Sequence, residues 1–174
     1  KILITGSEGF IGSHLVDFLL KKKMNIRGFV QYNSFSNYGW LDNYTDKNNL
    51  DFHLGDIRDS NYVDKAVFGC SHVIHLASLI AIPHSYNSAQ SYIDTNIKGT
   101  LNLLQSSVKY KIKKFIHTST SEVYGTAQKI PIDEKHPLNA QSPYAASKIA
   151  ADHLALSFFK SFNLPVGILR PFNT

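Results

Sequence analysis

Cysteine is nearly missing. Cys70 is the single one in 174 residues, so no disulfide can close within the chain. A disulfide-stapled secreted scaffold is excluded, and a reducing, cytoplasmic setting is expected. Long apolar runs are missing too: no stretch reaches the ~18 continuous apolar residues of a membrane-spanning helix. No charged leader with an apolar centre precedes the first strand-like run, so no secretory signal is read. The first residue is Lys1 rather than Met, and residues ahead of it are expected in the natural protein. A strong excess of one charge is also lacking, since 18 Lys+Arg face 13 Asp+Glu and leave +5. The lysines fall in separate groups, Lys21 to Lys23 and Lys111, Lys113 and Lys114, at expected helix ends where the dipole favours cations. A nucleic-acid surface would show one dense basic stripe instead. Six Pro and ten Gly are spread out, and apolar residues make up 43%, enough for the core of one domain.

What is present is alternation. Apolar runs predict strands at residues 2–4, 26–30, 50–54, 72–77, 112–118 and 166–170. Helical periodicity fills the gaps. Ile11, Leu15, Phe18 and Leu19 share one helical face, and further helices are predicted at about 61–68, 92–110 and 143–162. Nearly continuous apolar strands separated by helices mean buried parallel strands in right-handed βαβ units. The fold class is therefore α/β, a doubly wound parallel sheet with helices on both faces. An Asn-, Tyr- and Ser-rich stretch, 31–49, interrupts the pattern. Its aromatics Phe35, Tyr38, Trp40 and Tyr44 are expected to be anchored, over a ligand's adenosine end or on another subunit.

The first strand runs into Thr5-Gly6-Ser7-Glu8-Gly9-Phe10-Ile11-Gly12, a G-x-x-G-x-x-G turn at a strand–helix junction. Glycines there permit the tight turn, the approach of a pyrophosphate, and close helix packing. The helix N-terminus then offers N–H groups and a positive dipole end to phosphates. This is the Rossmann arrangement for NAD or NADP. An acidic residue about 20 positions on would mark NAD and an Arg NADP. Val30, Gln31 and Tyr32 supply neither, so the choice stays open. Asn33 and Ser34 are read as turn residues, with phosphate donation as the alternative. After the third strand Asp56 is a candidate adenine contact, and Asp59 a better helix N-cap.

Ser119-Thr120-Ser121-Glu122 follows the fifth strand, at the sheet edge where ligands sit in such folds. Tyr144 and Lys148, at i and i+4, share one face of a helix capped by Ser142 and begun by Pro143. The ammonium and the helix's positive end are expected to favour phenolate, because a free Tyr titrates near ~10, too high for a base at neutral pH. His75, His84 and His117 lack local metal-ligand spacing and are read as packing residues.

Taken together, the glycine turn, Asp56, His75-Leu76-Ala77, Thr120, Tyr144-Ala145-Ala146-Ser147-Lys148 and Arg170-Pro171-Phe172-Asn173 resemble extended short-chain dehydrogenase/reductases of the nucleotide-sugar epimerase/dehydratase group. The resemblance covers essentially the whole chain. Thr120-Ser121-Glu122 is similar to GDP-mannose 4,6-dehydratases, and simple 4-epimerases lack that Glu. Tyr32 to Phe35 and Gly39 to Asp42 resemble dehydratases of bacterial legionaminic acid pathways, which act on nucleotide-linked N-acetylglucosamine.

The resemblance implies a nucleotide-sugar 4,6-dehydratase. Its NAD(P) would be tightly bound and regenerated in each turnover, and its substrate would be UDP- or GDP-N-acetylglucosamine. No metal, nucleic acid or membrane is implied, and a homo-oligomer, dimer or tetramer, is expected. Implied catalytic residues are Thr120, Ser121, Glu122, Tyr144 and Lys148. Implied cofactor contacts are Gly6, Gly9, Phe10, Ile11, Gly12, Asp56, Ile57, Leu76, Ala77, Ser78, Tyr144, Lys148 and Pro171. Thr120 and Asn173 would meet the substrate, and Asn96 is mainly structural. Residues 1–174 would form the dinucleotide-binding domain, with the substrate domain expected after them. The alternatives are a nucleotide-sugar 4-epimerase and a catalytically silent dinucleotide-binding module.

Overall fold

The computed structural model describes residues 1–35, 37–42 and 49–172. Six strands form one parallel sheet: β1 (Ile2–Thr5), β2 (Ile26–Gln31), β3 (Leu50–Gly55), β4 (His72–His75), β5 (Lys114–Thr118) and β6 (Val166–Leu169). Their order is β3-β2-β1-β4-β5-β6. The order reverses between β1 and β4, and the crevice at that switch point, beyond the strands' C-terminal ends, is where such sheets bind ligands.

The period-2 side-chain alternation divides the core. Ile2 and Ile4 pack with Val16, Ile26, Leu41 and Leu50 on the face covered by α1 (Phe10–Lys21). Leu3, Phe29, Val73 and Phe115 point the other way. There they meet α2 (Ser60–Val67), α5 (Gly99–Lys109) and α6 (Pro143–Phe162) through Val63, Leu103 and Ala155. Cys70 is buried as a free thiol at the edge of this second cluster.

The helices start and stop where local chemistry dictates. Asp59 caps α2, accepting from the Asn61 and Tyr62 N–H groups. Ser142 caps α6 by accepting from the Ala145 N–H at 3.0 Å, and Pro143 opens the helix. Asn163 closes it in the left-handed region at φ 55°.

Several boundaries differ from expectation. β4 ends at His75 rather than Ala77: the Leu76 N–H is shared between the Thr5 carbonyl and hydroxyl, and the Ala77 N–H goes to the Thr5 hydroxyl in place of a strand partner. β5 begins at Lys114 rather than Ile112, because the Ile112 N–H still caps α5 through the Ser107 carbonyl. The single helix expected over 92–110 is three pieces: α4 (Ala89–Tyr92), a π-helical stretch Ile93–Lys98, and α5. A short helix not foreseen, α3 (Ile82–Asn87), precedes them with Pro83 in its first turn. No described helix is long and apolar enough to cross a membrane.

Candidate active site

A cleft of about 850 Å³ runs from the glycine turn to the start of α6. The three turn glycines line it for different reasons. Gly6 has φ +67°, and a Cβ on it would meet the Ala77 N–H nitrogen at 2.9 Å. A Cβ on Gly12 would lie 2.1 Å from the Gly6 carbonyl oxygen, so α1 can approach the turn only without one. Gly9 is unlike both. It has φ −75°, and its Cβ would meet only the Gly6 carbonyl oxygen, at 3.4 Å. The protein itself does not require glycine there, and what the missing side chain leaves is open cleft. Gly9 is also the N-cap of α1 and provides no side-chain cap. The first-turn N–H groups of a helix have no intrahelical acceptor, so here they are available to an anion in the cleft.

The floor of the cleft is locked by one chain of hydrogen bonds. Register places Thr5, His75 and His117 side by side across β1, β4 and β5. Thr100 donates its hydroxyl proton to the Asn96 carbonyl at 2.6 Å, so it accepts from His75 Nε2–H at 3.0 Å. His75 Nδ1 therefore accepts from the Thr5 hydroxyl at 2.7 Å, and Thr5 Oγ1 in turn accepts the Leu76 and Ala77 N–H groups at 3.2 Å. Burial, with His117 and Lys148 nearby, pushes the His75 pKa well below its ordinary value, so the ring is neutral.

Asn96, in the π-helical stretch, clasps the same region to α6. Its Oδ1 accepts from the Leu79 N–H (2.8 Å) and the Ser78 hydroxyl (3.0 Å). Its Nδ2 donates to the Leu79 carbonyl (3.0 Å) and to Ser147 Oγ (2.9 Å). The structural role expected for Asn96 is what these bonds show.

At the far end, Thr120 caps the 3-10 turn Ser121–Tyr124, accepting the Glu122 N–H at 3.2 Å. Tyr144 and Lys148 both face the cleft, side by side on α6 with the Thr120 turn. Lys148 is 4% exposed and its ammonium donates to the Thr118 carbonyl at 2.7 Å. Burial lowers its pKa to about 8, against the partial support of Asp152.

Tyr144 corrects one expectation. Burial raises the phenol's pKa, and the Glu122 and Tyr92 charges raise it further. A hydrogen bond with the Thr120 hydroxyl is the influence that lowers it. The chain alone thus holds Tyr144 as phenol, because desolvation outweighs the neighbouring donors. Glu122 lines the cleft with its side chain exposed, and its charge is felt at Tyr144.

The other expected positions divide cleanly. Phe10, Ile11, Asp56, Ile57, Leu76, Ala77, Ser78, Thr120, Ser121 and Pro171 all line the cleft. Asp56 is held by its neighbour, accepting from the Arg58 N–H (2.8 Å) and Arg58 Nε, and this contact keeps its carboxyl below the usual range. Asn33 is a turn residue, its Oδ1 accepting from the Phe35 N–H at 3.0 Å and its Nδ2 donating to Asn37. Asn173 and Tyr44 lie outside the described residues.

Tyr38 stacks on Phe52, and Trp40 meets Phe10 edge-on at 5.8 Å beside the glycine turn, so these two are anchored, whereas Phe35 is 84% exposed and is not held as expected. His117 lies 3.3 Å from Asp152, which also accepts from Arg170 at 3.0 Å. His84 faces the cleft instead of the core.

Sequence reasoning missed Glu8, Gln31, Ser91, Thr95 and the Thr118 carbonyl. Thr95 lies in the π-helical stretch and Ser91 on α4, just ahead of the helix expected from residue 92. Glu8 sat inside the recognised motif as an unassigned x position.

The match to known proteins agrees with this geometry. The family described as GDP-mannose 4,6-dehydratase matches residues 3–174. A dTDP-D-glucose 4,6-dehydratase of Dictyostelium discoideum is 40% identical over 99% of this chain and 43% of its own length. A dTDP-glucose 4,6-dehydratase from Streptomyces venezuelae, solved with NAD bound, superposes with TM-score 0.90 at 32% identity, over 97% of this chain and 54% of that one. A UDP-N-acetylglucosamine 4-epimerase from Methanobrevibacter ruminantium M1 gives 0.89 at 32% identity, over 99% and 55%. The chain spans about half the length of the curated relatives it matches. It belongs to the GDP-mannose 4,6-dehydratase family, among the NAD-dependent epimerases and dehydratases of the short-chain dehydrogenase/reductase group.

Proposed function

We propose that the protein carrying this chain is a nucleotide-sugar 4,6-dehydratase that works with a bound NAD(P). The cleft suits that cofactor on its own geometry: an unneeded Cβ is missing at Gly9, the N-terminus of α1 lacks a side-chain cap, and the far end carries a Tyr–Lys pair. Gly6, Gly9 and Gly12 would hold its pyrophosphate, Asp56 and Ile57 its adenine, and Lys148 its nicotinamide ribose, with Leu76, Ala77, Ser78 and Pro171 along its length. When bound, NAD(P) would supply a reversible hydride store for oxidation at the sugar's C4 and reduction at its C6.

The chain's own residues handle the protons. Tyr144, a phenol in the chain alone, is proposed to ionise once the cationic cofactor ring is bound and then to take the proton of the 4-hydroxyl, with Lys148 one helical turn along α6. Thr120, already bonded to Tyr144, donates to the 4-oxygen. A ketone at C4 makes the C5 proton acidic, and Glu122 removes it while water departs from C6. Ser121 positions Glu122, and Glu122, once protonated, assists the leaving hydroxyl. The observation that carries the reading is Glu122 itself: a carboxylate two residues after Thr120, in the same cleft as Tyr144 and close enough to shift it. The sugar is proposed to be N-acetylglucosamine on UDP or GDP, after the likeness of residues 32–35 and 39–42. Of these, Trp40 packs against the glycine turn through Phe10 and the Glu8 carbonyl, so the likeness marks relatedness rather than a sugar contact. Asn173 and a following domain would complete the sugar site.

A 4-epimerase is the second reading, because an epimerase superposes about as well as a dehydratase. Product analysis separates the two. The full-length protein, given NAD(P) and a panel of UDP-, GDP- and dTDP-hexoses, should form a 4-keto-6-deoxy sugar that absorbs in strong alkali. Glu122→Gln should retain nucleotide binding, lose about 10²–10⁴-fold in turnover, and stop solvent exchange at C5. Exchange at the native rate would remove Glu122 as the base.

A further inference from the structure

A dinucleotide fold commonly places an acidic side chain at the end of β2 to receive the adenosine ribose hydroxyls. Here β2 ends at Gln31, and Tyr32 and Asn33 follow. The structure brings a carboxylate to that place from another element. Glu8, between the first two turn glycines, accepts the Gln31 backbone N–H on Oε1 at 2.9 Å. Its side chain is thus docked on the last residue of β2.

The surroundings are shaped to keep it there. The Glu8 carbonyl accepts the Trp40 N–H at 3.1 Å. Gly39 has φ +58°, and a Cβ on it would stand 2.7 Å from that carbonyl oxygen. The second carboxylate oxygen, Oε2, is buried and has no hydrogen-bond partner among the described residues. Glu8 and Gln31 both line the cleft. A buried carboxylate oxygen without a donor is costly, and the residue that carries it forms part of the cleft wall.

We propose that Glu8 receives the ribose 2′-hydroxyl and selects NAD over NADP, a proposal that rests on the cleft holding a dinucleotide. A hydroxyl can donate to Oε2. An ionised 2′-phosphate has no proton to give and repels a carboxylate at close range. Arg58 is a cation on the same wall that would welcome such a phosphate. Its guanidinium is already committed to Asp56 through Nε and Nη2.

The test measures dissociation constants of NAD and NADP for the full-length protein stripped of nucleotide. The native protein should prefer NAD by at least about tenfold, the value of one charge-assisted hydrogen bond. Glu8→Gln keeps an oxygen for the Gln31 N–H and turns an N–H₂ donor to the ribose. It should weaken NAD, strengthen NADP and close the gap. Equal native affinities, or an unchanged ratio in E8Q, would overturn the assignment to Glu8 while leaving the dinucleotide reading intact. Binding of neither nucleotide would overturn both. Should E8Q fail to fold by circular dichroism, Glu8→Asp keeps the charge but withdraws the oxygen. It should weaken NAD without improving NADP, and a gain in NADP affinity there would equally overturn the proposal.

Discussion

Lys148 shows how burial tunes a single group before any ligand arrives. Its amine is fully enclosed, holds the Thr118 carbonyl, and binds its proton with a pKa of about 8. An ordinary lysine sits near ~10.4. In the chain without ligand, a ¹³Cε-lysine titration should show one resonance with a midpoint near 8, absent in Lys148→Met, and the rest well above it. A midpoint above about 10 for that resonance would refute the burial argument. The sign for stability follows. The folded state releases this proton first, so Lys148 contributes increasing stability as pH climbs from about 8 to 10.5. Tyr144 moves the opposite way, because burial disfavours its anion. The two shifts pull the nearly matched pair apart, so in the chain alone passing the phenol proton to the amine costs more than it does in water.

At the level of elements, the sheet and its order of helices were legible because apolar runs and 3.6-residue periods are written directly in the chain. The glycine turn and the Tyr144–Lys148 pair were legible because each needs only local spacing. The π-helical stretch Ile93–Lys98 was not. It has no compositional signal, and its cause is tertiary: Asn96 must face Ser147 and the Leu79 backbone at once. The end of β4 was likewise set by the Thr5 hydroxyl, 70 residues away along the chain from His75. Glu8 escaped for the same reason, since its meaning depends on where Gln31 lies in space. Asn96 carries a prediction at this scale. Asn96→Ala leaves the Leu79 N–H and carbonyl without their partner, which should cost about 1–3 kcal/mol. Exchange of the Leu79 amide should accelerate, and Asn96→Asp, which still accepts from it, should accelerate it less. An unchanged Leu79 rate in the Ala variant would show that the clasp does not hold the loop.

Across the whole molecule, the polar groups buried behind the cleft favour a protein that tolerates acid poorly. His75 and His117 are both enclosed, and burial lowers the pKa of each. For His117, the Asp152 carboxylate opposes that shift, but Arg170 also contacts Asp152 and offsets its charge. Among the described residues His75 has no carboxylate as a hydrogen-bond partner; its ring nitrogens meet the hydroxyls of Thr5 and Thr100. Its tautomer is fixed by Thr100 and Thr5, and a second proton would break the bond from the Thr5 hydroxyl that positions the β4 end. The unfolded chain protonates both rings near ~6.5, whereas the fold resists. Stability is therefore complete above that pH and falls as pH drops below it, by up to about 1.4 kcal/mol per pH unit for each ring. Denaturant unfolding between pH 7 and pH 5 should show this acid limb. His75→Asn, whose amide can still donate and accept, should lower stability at pH 7 yet flatten the limb. A variant whose stability falls with acid as steeply as the native protein's would mean that the ring at the centre of the cleft floor takes up its proton without opening the fold.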